Sequence, residues 1–362
     1  MSGNLALRYA ALNALYAAIA TNYGLSGIDA VHQEFAIDPS MEQKLEAKQT
    51  EEVGFMGQIN VAPVDELQGQ VLGLFAARMI GSGIGNPTTR RDPKDVSGLD
   101  SRQFQLFETL FDTMMPWSKI DTWAKFPNFL QLYSTAVAIA TAQTRISIGF
   151  NGKGRFVPPA SSDPLANPMG EDLNVGWLQK LRIERPDHVM GRALVGAPGA
   201  QTATGAAVPI EIGAAETFKN LDALAYDLIS GMPSWARKST ELVVVVSQDL
   251  VDAKYFPMIN RPLAGTIDGG KSTSDEVVND IVMSAKQIGG RRAAIVPFFP
   301  EGTMFVTPLK NLSLYYQSGA RRRYVKDEPE YRRGLVDYNS SNEGYVIEST
   351  DHAVLAENIV FT

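Results

Sequence analysis

The stretch between residues 70 and 111 decides how this chain is read: Gln70-Val71-Leu72-Gly73-Leu74-Phe75-Ala76-Ala77-Arg78-Met79-Ile80, then Gly81-Ser82-Gly83-Ile84-Gly85-Asn86-Pro87, and after a polar run Arg102-Gln103-Phe104-Gln105-Leu106-Phe107-Glu108-Thr109-Leu110-Phe111. The outer runs are rich in Val, Leu and Phe and read as two strands. Between them Thr88–Asp100 carries Arg90, Arg91, Asp92, Pro93, Lys94 and Asp95. Connections longer than roughly 12–15 residues without structure of their own are uncommon and usually functional or disordered. Two arms of about 15 residues at about 3.4 Å each project roughly 50 Å, further than the radius of a compact domain. A lone two-stranded ribbon is marginal in water. An ordered hairpin here is therefore expected to be covered by another chain.

Toward the N-terminus, residues 1–23 read as a helix with Leu5, Leu12, Leu15 and Ile19 along one seam, broken by Gly24 and Gly27. Isolated helices of this length barely hold in water, so this one should dock on something. Residues 28–50 are polar, are punctuated by Asp38-Pro39, and suit an extended arm or a short helix. Toward the C-terminus, Asn128–Ile148 lacks Gly and Pro and reads as a long helix ended by Gly149–Gly154, and Pro158–Pro168 reads as a loop. From Thr217 the pattern turns α/β. A helix capped by Thr217 carries Leu221, Leu224 and Leu228, Leu242–Val246 is a buried strand, and another helix ends before Pro257. Thr273-Ser274-Asp275-Glu276 matches a capping box. Strands are expected at 293–298, 304–307, 312–316, 345–348 and 353–361.

The 362 residues are enough for two or three packed units. With net charge −7, 44% hydrophobic and 20% charged residues, the composition is that of a soluble globular chain. No apolar run reaches the length that spans a membrane. The absence of Cys removes disulfides, thiolate nucleophiles and thiolate zinc sites. His32, His188 and His352 are far apart and lack H-E-x-x-H spacing, so no metal or other cofactor is expected. An acidic balance argues against a tight, sequence-unspecific DNA coat.

Gly265-Thr266-Ile267-Asp268-Gly269-Gly270-Lys271-Ser272 satisfies the phosphate-cradling pattern G-x-x-x-x-G-K-[ST]. Such a loop must leave a buried strand directly, yet Pro257 and Pro262 precede it. No apolar strand ending in Asp follows it. Residues 265–272 therefore read as a polar loop. Gly81–Gly85 lacks the spacing of a dinucleotide fingerprint and reads as a hairpin tip. Arg321-Arg322-Arg323-Tyr324 and Tyr331-Arg332-Arg333 join charge to aromatics, with Asp327, Glu328 and Glu330 between them. Interspersed acids weaken a nucleic-acid reading, and Arg and Tyr are common interface anchors. The cluster is read as an inter-subunit contact. No nucleophile motif is present, and no catalytic residue is assigned.

Several strings, in order, resemble the major capsid proteins of tailed phages of the peduovirus (P-two-like) family. They are Ser26-Gly27-Ile28-Asp29, Asp121-Thr122-Trp123-Ala124-Lys125-Phe126, Gly149-Phe150-Asn151-Gly152, Asn174-Val175-Gly176-Trp177-Leu178-Gln179-Lys180, Asp252-Ala253-Lys254-Tyr255-Phe256-Pro257, Pro297-Phe298-Phe299-Pro300 and Lys310-Asn311-Leu312-Ser313-Leu314-Tyr315-Tyr316. The resemblance implies an α+β capsid fold of the HK-97 type. Its expected parts are an N-terminal arm (1–60), an E-loop hairpin with flanking strands (61–117) and a peripheral domain with a long spine helix (118–216). An axial domain (217–330) and C-terminal strands returning to the peripheral domain (331–362) complete it.

The implied function is structural. Copies of the chain assemble as hexamers and pentamers into an icosahedral head enclosing double-stranded DNA, with no enzymatic activity and no membrane partner. The implied partners are a scaffolding/protease protein and a portal during assembly, and DNA held non-specifically. The implied location is the virion, with the host cytoplasm during assembly. Arg90, Arg91, Arg321, Arg322 and Arg323 are the expected inter-subunit contacts, and Phe35-Ala36 is the expected junction for trimming of the leading segment. A non-viral shell such as an encapsulin, and a P-loop nucleotide-binding protein, are the alternatives.

Overall fold

The computed structural model describes residues 2–73, 98–123, 129–158, 160–197, 199–259, 286–329 and 332–362. The glycine-rich tip at 81–87 with Arg90 and Arg91, the loop 265–272 and the capping box at 273–276 lie outside them. The first half holds α1 (Ser2–Tyr23), α2 (Ile28–Val31), β1 (Phe35–Ala36), α3 (Pro39–Glu52), β2 (Asn60–Val64), β3 (Gln68–Gly73), β4 (Gly98–Gln105), β5 (Phe107–Leu110), β6 (Thr113–Pro116), α4 (Trp117–Trp123) and α5 (Phe129–Asn151). The second half begins with α6 (Trp177–Glu184), β7 (Val189–Met190), β8 (Ile210–Ile212), α7 (Leu221–Gly231), β9 (Leu242–Val246) and α8 (Gln248–Ile259). It ends with β10 (Gln287–Ile288), β11 (Arg291–Ala294), β12 (Met304–Pro308), β13 (Leu312–Gln317), β14 (Arg322–Glu328), β15 (Gly334–Ile347), β16 (Val354–Ala356) and β17 (Ile359–Phe361).

One sheet is organised by β15, which pairs antiparallel with β14, β13, β5 and β6. Strands β1 and β2 close its two edges on β14 and β13. A second sheet runs β10-β11-β9-β12-β16-β7, with α7 and α8 packed on it through Leu224, Leu228, Leu250 and Val251. The principal core lies where the two sheets meet α5 and α6. There Trp177, Phe150 and Tyr345 pack with Phe305 and Leu314. A third apolar cluster holds α1, through Leu12, Tyr16 and Ile19, against Met115, Ile120, Val325 and Leu335. The helix does dock, and it docks on its own chain.

Pairing of β3 with β4 forms the base of the expected hairpin. Val71, Phe104 and Leu106 are buried there with Val346 of the chain's own sheet, so that base is sheltered from within.

Several boundaries depart from expectation for identifiable reasons. Of the two readings open for residues 28–50, an extended arm or a short helix, Asp38-Pro39 takes the helix, and at 14 residues it is not short. The Asp38 carboxylate accepts from the Ser40 amide at 2.9 Å, and proline suits the first helical position. The cap of α7 is Asn220, not Thr217. Its side chain accepts from the Ala223 amide at 2.8 Å, while Phe218 is held in a bridge to Ile212. Helix α5 continues through Gly149 to Asn151, because that glycine answers a packing demand and not a chain reversal. Helix α8 passes through Pro257 for a last half turn, where few backbone bonds remain to be lost. Strand β11 ends at Ala294 instead of 298, where the chain turns toward a left-handed residue, Phe298. Strand β15 starts at Gly334, well before the expected 345.

Candidate assembly surfaces

Helix α5 carries one charged residue, Arg145, among otherwise uncharged and mostly apolar or small residues. A buried guanidinium must be paired, since an unpaired buried charge is very costly. Here it joins a chain of four side chains: Arg321 to Glu46 (2.5 Å), Glu46 to Arg145 (2.7 Å) and Arg145 to Glu343 (2.5 Å). All four are buried, and the Gln49 side chain also accepts from Arg145. Burial opposes the charge on Arg145, but the carboxylates of Glu343 and Glu46 outweigh it and raise its pKa. Burial likewise opposes ionisation of Glu46, and Arg145 with Arg321 overcomes it, holding that carboxyl below its usual range. The chain ties α3 to α5 and to the first sheet.

A second ionic centre ties α6 to the C-terminal strands. Glu357 accepts from Arg182 (3.1 Å) and from Arg192 (2.5 Å). Burial would raise the Glu357 pKa, but the two arginines depress it.

Strand alternation divides the predicted Arg321–Arg323 cluster, since successive side chains of a strand point to opposite faces. Arg321 and Arg323 face inward. Arg323 donates to Asp337 at 2.6 and 2.9 Å and to the Tyr23 hydroxyl at 2.8 Å. Arg322 takes the other face, where its side chain is 66% exposed and meets Glu34 at 3.2 Å. It lines an open groove with Leu110, Tyr324 and Tyr338, the last two stacked with centroids 5.9 Å apart. Phe35 and Ala36 form β1, which pairs with β14 opposite Arg323 and Arg322. The candidate trimming junction is thus a two-residue edge strand.

His188 and His352 flank the same turn, His188 Nδ1 lying 2.9 Å from the Ala353 carbonyl and His352 Nδ1 3.1 Å from the Ser349 hydroxyl. Among the described residues no group of three His, Asp or Glu side chains is placed to hold a metal ion. No helix among them is long and apolar enough to cross a membrane.

Glu46, Arg145, Glu343 and Glu357 were not singled out in the sequence. A lone charge inside an apolar helix was the available signal for Arg145. Its partners lie about a hundred and two hundred positions away, and no local pattern marks them.

The family model for the phage major capsid protein, P2 family, matches residues 11–359. The chain is 33% identical over 334 residues to the major capsid protein of Serratia phage KSP20, covering 92% of this chain and 91% of that protein. It is also 33% identical over 339 residues to the capsid proteins of Escherichia phage P2, covering 92% and 90%. A subunit from the procapsid of satellite phage P4, solved with its size determination protein, superposes with a TM-score of 0.75. That pair shares 31% identity, over 92% of this chain and 95% of that one. The fold is therefore the α+β, HK-97-type capsid fold, and copies of the chain build a structural shell, the capsid of a virion. Neither the non-viral shell nor the nucleotide-binding alternative is favoured by these matches. With nearly its whole length matched in sequence and its architecture shared with a procapsid subunit, the chain belongs to the P2 family of phage major capsid proteins.

Proposed function

We propose that copies of this chain close into hexamers and pentamers that form an icosahedral head around double-stranded DNA, and that the chain performs no catalysis. Heterologous contacts that satisfy a closing rotation generate such rings. The likeness to a procapsid subunit over 92% of the chain carries this reading. A net charge of −7 limits tight phosphate binding to the shell wall, which suits DNA held non-specifically. A scaffolding/protease protein and a portal would act with the chain in the host cytoplasm during assembly.

Five parts follow in this proposal: arm (1–60), E-loop with flanking strands (61–117), peripheral domain (118–216), axial domain (217–330) and returning strands (331–362). Of the arginines, Arg322 is the one whose exposed side chain suits inter-subunit contact, with Arg90 and Arg91 beyond the described residues. Arg321 and Arg323 would act by fixing the strand that presents it. Electron microscopy of the full-length chain, expressed with and without a scaffolding partner, tests the reading. Closed shells are expected, and a chain that stays monomeric under both conditions overturns it.

Trimming at Phe35-Ala36 is part of the proposal. Proteases bind extended backbone, so β1 would have to leave β14 before cleavage. Only two ladder positions hold it to β14, so release means chiefly withdrawing Phe35 from Tyr23 and freeing the Ile37 amide from the Arg321 carbonyl. Intact-mass measurement on mature particles is expected to show loss of the leading segment, and a full-length chain throughout would reject it.

A further inference from the structure

The long loop 152–176, between α5 and α6, exceeds the roughly 12–15 residues beyond which connections usually carry a function. Its own acidic side chains shape it. Asp163 accepts from the amides of Leu165 (3.0 Å) and Ala166 (3.3 Å). Asp172 accepts from the Ser162 hydroxyl (2.8 Å) and the Asp163 amide (2.9 Å), and Glu171 from the Met169 amide (3.0 Å). These bonds shape the turn from within, while Leu173 packs on the main core, and they present Leu165 with 95% of its surface exposed. Val157 and Met169 are exposed in the same loop.

An independent observation falls on the same end of the molecule. Phe298 has φ 62, a left-handed conformation that is sterically disfavoured for a bulky side chain, and the residue is 40% exposed. Its neighbour Phe299 is buried against Phe150. Strain of this kind persists where the surrounding structure enforces it and clusters at functional positions. The last turn of α5 anchors both features. The Ser147 hydroxyl donates to the Met169 carbonyl (2.9 Å), and the Asn151 side chain donates to the Phe298 carbonyl (2.7 Å).

We propose that this end of the spine helix is a subunit contact in which Leu165 seats in a hollow of a second copy of this chain, with Phe298 as a flanking anchor. The inference rests on the shell being built of identical subunits. A preformed tip lowers the ordering cost of association. A protruding knob is not complementary to itself, so the contact is heterologous, the kind that closes rings. Asp163, Asp172 and Glu171 spend carboxylate oxygens on the loop's own amides. The three carboxylates stay anionic, so the tip offers Leu165 as an apolar knob within an acidic rim, which suits a protein hollow and repels DNA.

The test places a small aliphatic diazirine amino acid at position 165 of the full-length chain and irradiates assembled particles and free subunits. A product of twice the subunit mass is expected from particles and not from free subunits. A crosslink to any other protein, or none in particles, overturns the proposal. A second variant, Leu165→Asp, is expected to give at least about tenfold fewer closed particles with an unchanged melting temperature of the free subunit. Wild-type particle yield from Leu165→Asp would overturn the contact while leaving self-assembly intact. Failure of the unsubstituted chain to form particles would overturn the shell reading itself.

Discussion

Trp177 occupies the space that a side chain at Gly149 would need: a Cβ added there would lie 2.2 Å from Trp177 Cζ3. The indole is fully buried, donates its Nε1 hydrogen to the Ser313 carbonyl at 3.0 Å, and meets Phe150 and Tyr345 edge-on. Gly152 and Gly176 bring the two chain segments equally close, their added Cβ atoms falling 2.5 Å from backbone oxygens. Helices α5 and α6 are thus locked through missing side chains as much as through present ones.

Gly149→Ala is expected to destabilise the free subunit by about 1–3 kcal/mol through overpacking. Urea unfolding followed by fluorescence measures it. Pairing the change with Trp177→Phe should recover part of the loss, since the atoms in conflict belong to the larger ring. A Gly149→Ala variant as stable as the parent would show that the indole moves freely.

Arg145→Met leaves Glu343 buried without its cation, and Glu46 with one of two. Breaking a buried pair from one side costs about 3–5 kcal/mol. Arg145→Met combined with Glu343→Leu should be less destabilised than Arg145→Met alone, because no unpaired carboxylate then remains at Glu343. Arg145→Lys should not rescue, since a point charge cannot bridge two carboxylates as a planar fork does. Denaturant midpoints at fixed slope read all three.

Acid should weaken the subunit through Glu46 and Glu357. Both have folded pKa values depressed below the ordinary 4.5. Their stabilisation is therefore complete above about pH 4.5 and is lost as the pH falls through the depressed values. The melting temperature is expected to drop in that acid window. Glu46→Gln should lower it at neutral pH and shrink the acid-induced drop. A drop of the same size in Glu46→Gln and parent would remove Glu46 from the explanation.

Leu12→Ala should loosen α1 from Met115, Ile120, Val325 and Leu335, with a cost of about 2–5 kcal/mol typical of a buried leucine. Deleting α1 would also uncover a cavity of about 480 Å³ that Leu15, Ile19 and Tyr23 help to line. Faster amide exchange in α1, and in β14 beneath it, is the expected readout. Unchanged exchange in both would show that the helix contributes nothing to holding that face.

Much of the fold was legible in local pattern. The apolar seam of residues 1–23, the unbroken run of α5 and the β-branched run at 242–246 each state their element through periodicity. The stop of α1 was readable too. Gly24 adopts φ 66, and the amides of Leu25 and Gly24 return to the carbonyls of Ala20 and Thr21, the usual glycine closure of a helix. Gly149 was misread because one residue type serves two purposes: it ends helices, and it admits a neighbour's bulk. β14 was missed because its alternation is written in Arg, Tyr and Lys. The inward pair Arg321 and Arg323 looks in sequence like a uniform basic patch.

Sequence alone determined the class of the chain: most of its helices and several of its strands, the absence of thiols, and the ordered set of strings shared with one capsid family. The tertiary structure decided which of its charges face inward, that the hairpin base and α1 are sheltered by their own chain, and that Leu165 is not sheltered at all. Periodicity is a property of neighbours along the chain, so it can be read from the chain. Partnership between Glu46, Arg145, Arg321 and Glu343 depends on residues brought together from across the sequence, and desolvation there is what makes each pairing obligatory.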